Sequence, residues 1–276
     1  MKVKKHICFS ETRDEQLVSY LNNQGITYDH ASHISTLDIY DNDPHWPFIS
    51  QYVRTNSLMC LSETAFSQKE LSSAEWLTVR SKWRNGYPQP ENAFKYEQIT
   101  YSSTQYCSEC GAGLVQNNPF RIQQPPKWGN RHFMMLNWVE DELFVDKVVK
   151  ELFLEKGITG VLFQKVQDKH GTQTVELIDQ LLITHVLQPG ILVNESIDKV
   201  ILCPNCKTRK YHPSGIGAHA FHREIFEGVP DVVKTAEIFG WGHSAPRVIL
   251  VNQKTYQLII QNKLDRGLVF EPVLLV

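Results

Sequence analysis

The stretch QYCSECGAGL, Gln105 to Leu114, sets Cys107 and Cys110 at the spacing of half a metal site. A matching half lies far downstream in LCPNCKT, with Cys203 and Cys206. Each CxxC pair turns the chain so that two thiolates can converge on one ion. Two such turns supply four soft sulfurs in the tetrahedral shell that zinc prefers. Gly111 follows the first pair, where a tight turn can use positive φ. Pro204 lies inside the second pair and stiffens it. The 92 residues from 111 to 202 separate the pairs, far more than in a compact zinc ribbon, so a folded insert between two knuckles is expected. The reading is one structural Zn2+ per chain on Cys107, Cys110, Cys203 and Cys206, because four cysteines leave no open position for substrate. Two other readings stand beside it, separate redox dithiols or buried cysteines without metal. A redox CxxC normally opens a helix, whose dipole lowers the thiol pKa. CGAGLV instead reads as a turn into a strand. Cys8 and Cys60 lie in apolar, strand-like runs and read as core thiols.

The 276-residue length fits one elaborated domain or two tightly packed ones. It is enough to bury a large core, so metal is not needed merely to fold. The formal net charge of −2 lacks the basic surplus that nucleic-acid binders use to release counterions, which makes a protein partner the default. The apolar run Ile7–Phe9 is too short for a signal peptide, and no run approaches the ~20 residues of a membrane span. Six cysteines, four of them in CxxC pairs, do not make a disulfide framework. A cytoplasmic protein without membrane contact is expected.

Residues 3–9 alternate and suit an opening strand. TRDEQLVSYLNNQG follows with Leu17, Val18 and Leu21 on one helical face and Gly25 as its stop. ISTLDIY and SLMCLSETAF read as strands. DPHWPFISQYVRTN reads as a short helix with Asp43 near its cap and Pro44 in its first turn. This βαβαβ-like rhythm predicts a small α/β unit. SQKELSSAEWLTVRSKW adds one helical turn and a strand. RNGYPQPENAFKYEQITY, rich in Pro, Asn and aromatics, reads as a linker.

Downstream lies a weak internal repeat. FVDKVVKELFLEKGITGVLFQKV (144–166) and LVNQKTYQLIIQNKLDRGLVFEPV (250–273) both run from an apolar pair to a polar cap, Asp146 or Asn252. An amphipathic helix, a glycine (Gly160 or Gly267) and a short strand follow. Val145, Val148, Val149, Leu152 and Phe153 keep the spacing of one buried face, and Val251, Thr255, Leu258 and Ile259 nearly do so. The predicted fold class is α+β. It has a small N-terminal α/β unit (1–83), a linker (84–104) and a mixed-sheet region (105–276) holding a split zinc ribbon and two helix–strand units.

Three further constellations carry possible chemistry. His219 and His222 stand at a spacing that binds metal on a helix, but without the His-Glu-x-x-His pattern that adds a general base. FGWGHSAPR has no Walker or dinucleotide pattern; its Trp241, His243 and Arg247 suit a protein contact, since aromatics and Arg dominate interface hot spots. KTRKYHP clusters Lys207, Arg209, Lys210 and His212 beside Tyr211, which suits either a solvated face or a grip on nucleic acid. No catalytic triad or phosphate loop emerges, so an enzyme is not expected.

With two CxxC motifs and the endings GITGVLFQKV and RGLVFEPV, the chain resembles the double-CXXCG paralogues of myxobacteria, some of which are described as immunity proteins against contact-delivered toxins. The likeness spans residues 105–276. Cys107, Cys110 and Gly111 match the motif fully; Cys203 and Cys206 match its CxxC, with Lys207 where glycine is expected. ELFLEKGITGVLFQKV also resembles a helix–strand motif of related bacterial immunity proteins. The resemblance implies a non-enzymatic bacterial protein that binds and neutralises a protein partner, such as a cognate toxin. The competing reading is a zinc-ribbon nucleic-acid-binding or regulatory protein.

Overall fold

The structure is a computed structural model that describes residues 2–31 and 33–276. It is a mixed α/β chain, mostly strands, with six α-helices and several sheets among the described residues.

The first sheet holds β1 (Lys2–Phe9), β2 (Asp29–Ala31), β3 (Ile34–Tyr40) and β4 (Met59–Ala65) in the order β2-β3-β1-β4. Helices α1 (Glu15–Asn23) and α2 (Trp46–Thr55) pack Leu17, Leu21, Ile49 and Val53 against Ile7, Phe9, Leu37 and Ile39 of the strands. α1 ends at Gly25, whose φ of +66° lets the amide of Ile26 return to the Leu21 carbonyl at 2.9 Å. α2 begins later than the sequence suggests. The Asp43 carboxylate accepts the His45 amide at 2.8 Å, which holds 43–45 in a turn, and Pro47 rather than Pro44 occupies the first helical turn.

The βαβαβ-like rhythm gains a further strand here, and every strand pair in this sheet is antiparallel. The added strand is β2, which the sequence reading missed. β1 and β2 run in the same direction with β3 inserted between them, and β3 and β4 do likewise around β1. Two split β-α-β units thus interlock in the ferredoxin-like arrangement.

The same device recurs in both repeat copies. β10 (Leu143–Val145), α5 (Lys147–Glu155) and β11 (Val161–Asp168) form one unit, and β12 (Thr174–Ile183) runs antiparallel between its two strands. β19 (Ile249–Asn252), α6 (Gln253–Gln261) and β20 (Leu268–Pro272) form the other, with β5 (Trp76–Ser81) between them. Asp146 and Asn252 cap their helices as expected, accepting the Val149 amide at 3.1 Å and the Thr255 amide at 3.0 Å. The buried faces are narrower than the spacing predicts. Val149, Phe153, Tyr256 and Ile259 are buried, Leu152 and Leu258 are half-buried, and Val148 is exposed. The i, i+4 line through Val149 and Phe153 points at the sheet, which leaves Val148 on the outer flank. Both copies contribute to one core that also contains Leu77, Val79, Leu181 and Val232.

Two boundaries move. β5, placed before the linker in the sequence reading, is a central strand of the sheet β17-β19-β5-β20, in which β17 is Val232–Lys234. Between β4 and β5 lies only α3 (Gln68–Ser73), whose Ser67 and Glu70 form a capping box. The expected linker is packed chain. It contains α4 (Tyr96–Thr100), and Tyr96 is buried with Phe120, Leu136 and Phe144. Tyr96, one of the aromatics that made the stretch read as a loop, anchors it, while Phe94 stays exposed.

A five-stranded sheet, β8-β11-β12-β10-β9, includes β8 (Arg121–Ile122) and β9 (Phe133–Met134). β13 (Ile191–Leu192), β16 (Ala220–Phe221) and β21 (Leu274–Leu275) make a small one. The cysteine pairs lie on two hairpins. β6 (Tyr101–Ser102) pairs with β7 (Val115–Gln116). β14 (Ile197–Leu202) pairs with β15 (Arg209–Pro213), which also carries β18 (Ile238–Phe239).

Candidate metal centre

The two CxxC turns are built alike. In the first, the Cys107 amide donates to the Ala112 carbonyl at 2.7 Å and the Gly111 amide to the Cys107 carbonyl at 2.8 Å. In the second, the Cys203 amide donates to the Thr208 carbonyl at 2.9 Å and the Lys207 amide to the Cys203 carbonyl at 3.1 Å. The residue after the second cysteine is left-handed in both, Gly111 at φ +79° and Lys207 at φ +60°. The lysine adopts the backbone that glycine would adopt freely. Lys207→Gly is therefore expected to raise stability by about 0.5–1 kcal/mol, the relieved strain less the entropy glycine adds to the unfolded chain. Urea unfolding of the metal-loaded protein measures it; a loss of stability would contradict the strain argument.

All four Sγ atoms lie within 4.8 Å of one another. Cys107 and Cys203 are 3.8 Å apart, and Cys110 and Cys206 are 3.5 Å apart. A tetrahedron with metal–sulfur bonds of about 2.3 Å has sulfur–sulfur edges of about 3.8 Å, so the set is of the size that could hold one metal ion. Cys107, Cys110 and Cys203 are buried, and Cys206 is the exposed corner. The thiols differ sharply. The Cys110 amide pointing at Cys107 brings that thiol down to about 6. The Thr208 hydroxyl, 3.2 Å from Cys206, lowers that one too. Burial pushes Cys110 up to about 12. A cation among the four would stabilise the thiolate that burial disfavours.

Lys210, a member of the basic cluster, braces the site. It is buried on β15, and its Nζ donates to the Cys110 carbonyl at 2.9 Å and the Gly242 carbonyl at 2.7 Å. It ties the first turn to the 239–247 loop and brings a positive charge beside the sulfurs. Asn205 adds a hydrogen bond to Cys107 Sγ at 3.4 Å. Lys207 and Arg209 are exposed while Tyr211 and His212 are buried, so KTRKYHP does not present one basic face. No sequence pattern distinguishes the buried lysine from its exposed neighbours.

The 239–247 loop lies flat on the first CxxC turn. A Cβ on Gly111 would fall 1.8 Å from the His243 carbonyl oxygen. The Trp241 ring sits 3.8 Å from that of His212 but stays 56% exposed, so it remains open to a partner. Arg247 is committed inward, its Nη1 donating to the Thr235 carbonyl at 2.8 Å and to the Ala236 carbonyl. His219 and His222 flank β16 rather than a helix. His219 Nδ1 lies 2.8 Å from Ser196 Oγ, burial lowers its pKa to about 4, and His222 is exposed. The two do not converge with other ligands. Cys8 and Cys60, expected in the core, are half-buried on the adjacent strands β1 and β4.

No known family model matches the chain, and no curated protein sequence matches it significantly. No helix among the described residues is long and apolar enough to cross a membrane.

Proposed function

We propose that this chain is a cytoplasmic, zinc-stabilised binding protein of the immunity type, which neutralises a protein partner by occupying it. One structural zinc on Cys107, Cys110, Cys203 and Cys206 joins the two hairpins as a split zinc ribbon. The observation that carries the reading is the closed centre. Four thiols surround one point, leaving no coordination position for a substrate or an activated water. Function then falls to the surface. Trp138 and Phe94 are exposed, with ring centroids 4.5 Å apart, and both hold left-handed backbone, at φ +69° and +56°. Such strain concentrates at functional surfaces, and exposed tryptophans anchor protein interfaces. The Ser244 hydroxyl donates to Glu140 at 3.0 Å, which brings the Trp241 loop beside the Trp138 segment.

The test is co-expression with the product of the adjacent gene, scoring growth rescue and co-purification. Trp138→Ala and Trp241→Ala are each expected to weaken the complex by about 2 kcal/mol or more while zinc content stays unchanged. Absence of a toxic neighbour, together with binding to DNA or RNA that weakens steeply with salt, would replace this reading with the nucleic-acid one.

A further inference from the structure

A cavity of about 420 Å³ opens against the β5–β20 sheet. Its floor is set by strand register. Thr78 on β5 stands directly opposite Glu271 on β20, and Arg80 follows two residues along the same face. The facing wall carries Ser196 and His219, with Glu63, Arg84 and Glu140 also lining the cavity. The wall is pinned to the N-terminal sheet by the Thr64 amide donating to the Gly215 carbonyl at 3.1 Å and the Gly217 amide to Thr64 Oγ1 at 2.8 Å. Its volume falls within the roughly 300–1,000 Å³ of small-molecule sites.

The lining is balanced in charge, three guanidinium groups against three carboxylates. Arg247 is already committed to backbone carbonyls. The others form loose pairs: Arg80 lies 3.4 Å from Glu63 and 3.7 Å from Glu271, and Arg84 lies 3.9 Å from Glu140. Good charge-assisted hydrogen bonds run at about 2.7–2.9 Å, so these groups have unused capacity. A simple anion or cation entering here meets as many like charges as opposite ones. A dipolar molecule meets both signs favourably. Burial pushes the Glu271 carboxyl up, a cost that an ammonium beside it would offset. Neutral His219, its Nδ1 engaged by Ser196, leaves Nε2 as a hydrogen-bonding group on the wall.

We infer that this cavity binds a small zwitterion of the α-amino-acid type, its ammonium group at Glu271 and its carboxylate at Arg80 and Arg84. The four cysteines do not line the cavity, but it borders the proposed partner surface, because its Glu140 also accepts the Ser244 hydroxyl of the Trp241 loop. Isothermal titration calorimetry on the metal-loaded full chain tests it, with each protein amino acid in turn and with N-acetylated and amidated counterparts. At least one free amino acid is expected to bind with a Kd of about 1 mM or tighter, and blocking either end to weaken binding about tenfold or more. Arg84→Gln and Glu271→Gln should each weaken it about tenfold, with metal content and circular dichroism unchanged. Binding by none of the amino acids, equal binding by the blocked forms, or affinity that survives both substitutions would overturn the inference.

Discussion

The Cys203→Ser protein is expected to be isolated without metal and to unfold at much lower denaturant than the parent. Cys203 is buried, 3.8 Å from Cys107 across the site, and a serine hydroxyl is a poor substitute for a soft thiolate. The stability at stake follows from topology. The metal would join positions 96 residues apart, and a cross-link closing a loop of about 100 residues contributes roughly 5 kcal/mol. That is a large share of the ~5–15 kcal/mol that holds an ordinary domain together. Elemental mass spectrometry and urea unfolding read the two effects, and a strong chelator applied to the parent should reproduce both. A full complement of metal in the variant, or none in the parent, would sink the four-cysteine assignment.

Lys234→Met is the second large effect. Lys234 is buried on β17, and its Nζ lies 2.6 Å from a Glu142 carboxylate oxygen. Glu142 is itself buried and also accepts from Gln180 Nε2 at 2.9 Å, while Gln180 exchanges hydrogen bonds with Gln116 on the first cysteine hairpin. Removing the ammonium leaves a buried carboxylate without its cation, which costs about 3–5 kcal/mol. Burial already pushes the Glu142 carboxyl above its ordinary value. A carboxyl raised in the folded state contributes stability at low pH and loses it as pH rises through that value. The variant should therefore be relatively more stable in mild acid than at neutrality. Adding Glu142→Gln should recover most of the loss, as a double-mutant cycle would register. A single substitution costing under about 1 kcal/mol would mean that the pair is solvated.

The cysteine set was legible because metal ligation demands particular residue types at a particular spacing, and the 92-residue insert does not disturb either half. The repeat was legible because a capping side chain and a helical period are local signals. β2 was not. Asp29, His30 and Ala31 are all exposed, so no apolar alternation marks them, yet they pair with β3. The partners of β5 were hidden for another reason: alternation identifies a strand but not the sheet it joins. In the 239–247 loop, tryptophan, glycine and arginine suit an interface and an internal clamp equally. Only the close approach of Gly111 to His243, and the carbonyls around Arg247, separate the two.

The placing of β5 also governs the order in which the chain can be made and folded. A ribosome completes the strands of the first sheet by residue 65, so that part can close at once. Residues 76–81 emerge next, with Trp76, Leu77 and Val79 destined for burial, but both flanking strands lie far ahead. β20 ends at Pro272, about 190 residues later, a wait of roughly 10–40 s at ordinary translation speeds. Over that interval a strand with strong apolar character has neither neighbour, the condition in which nascent chains recruit chaperones or mispair. A message truncated just before Leu268 would likewise deprive a central strand of one whole side, rather than trim a dispensable tail.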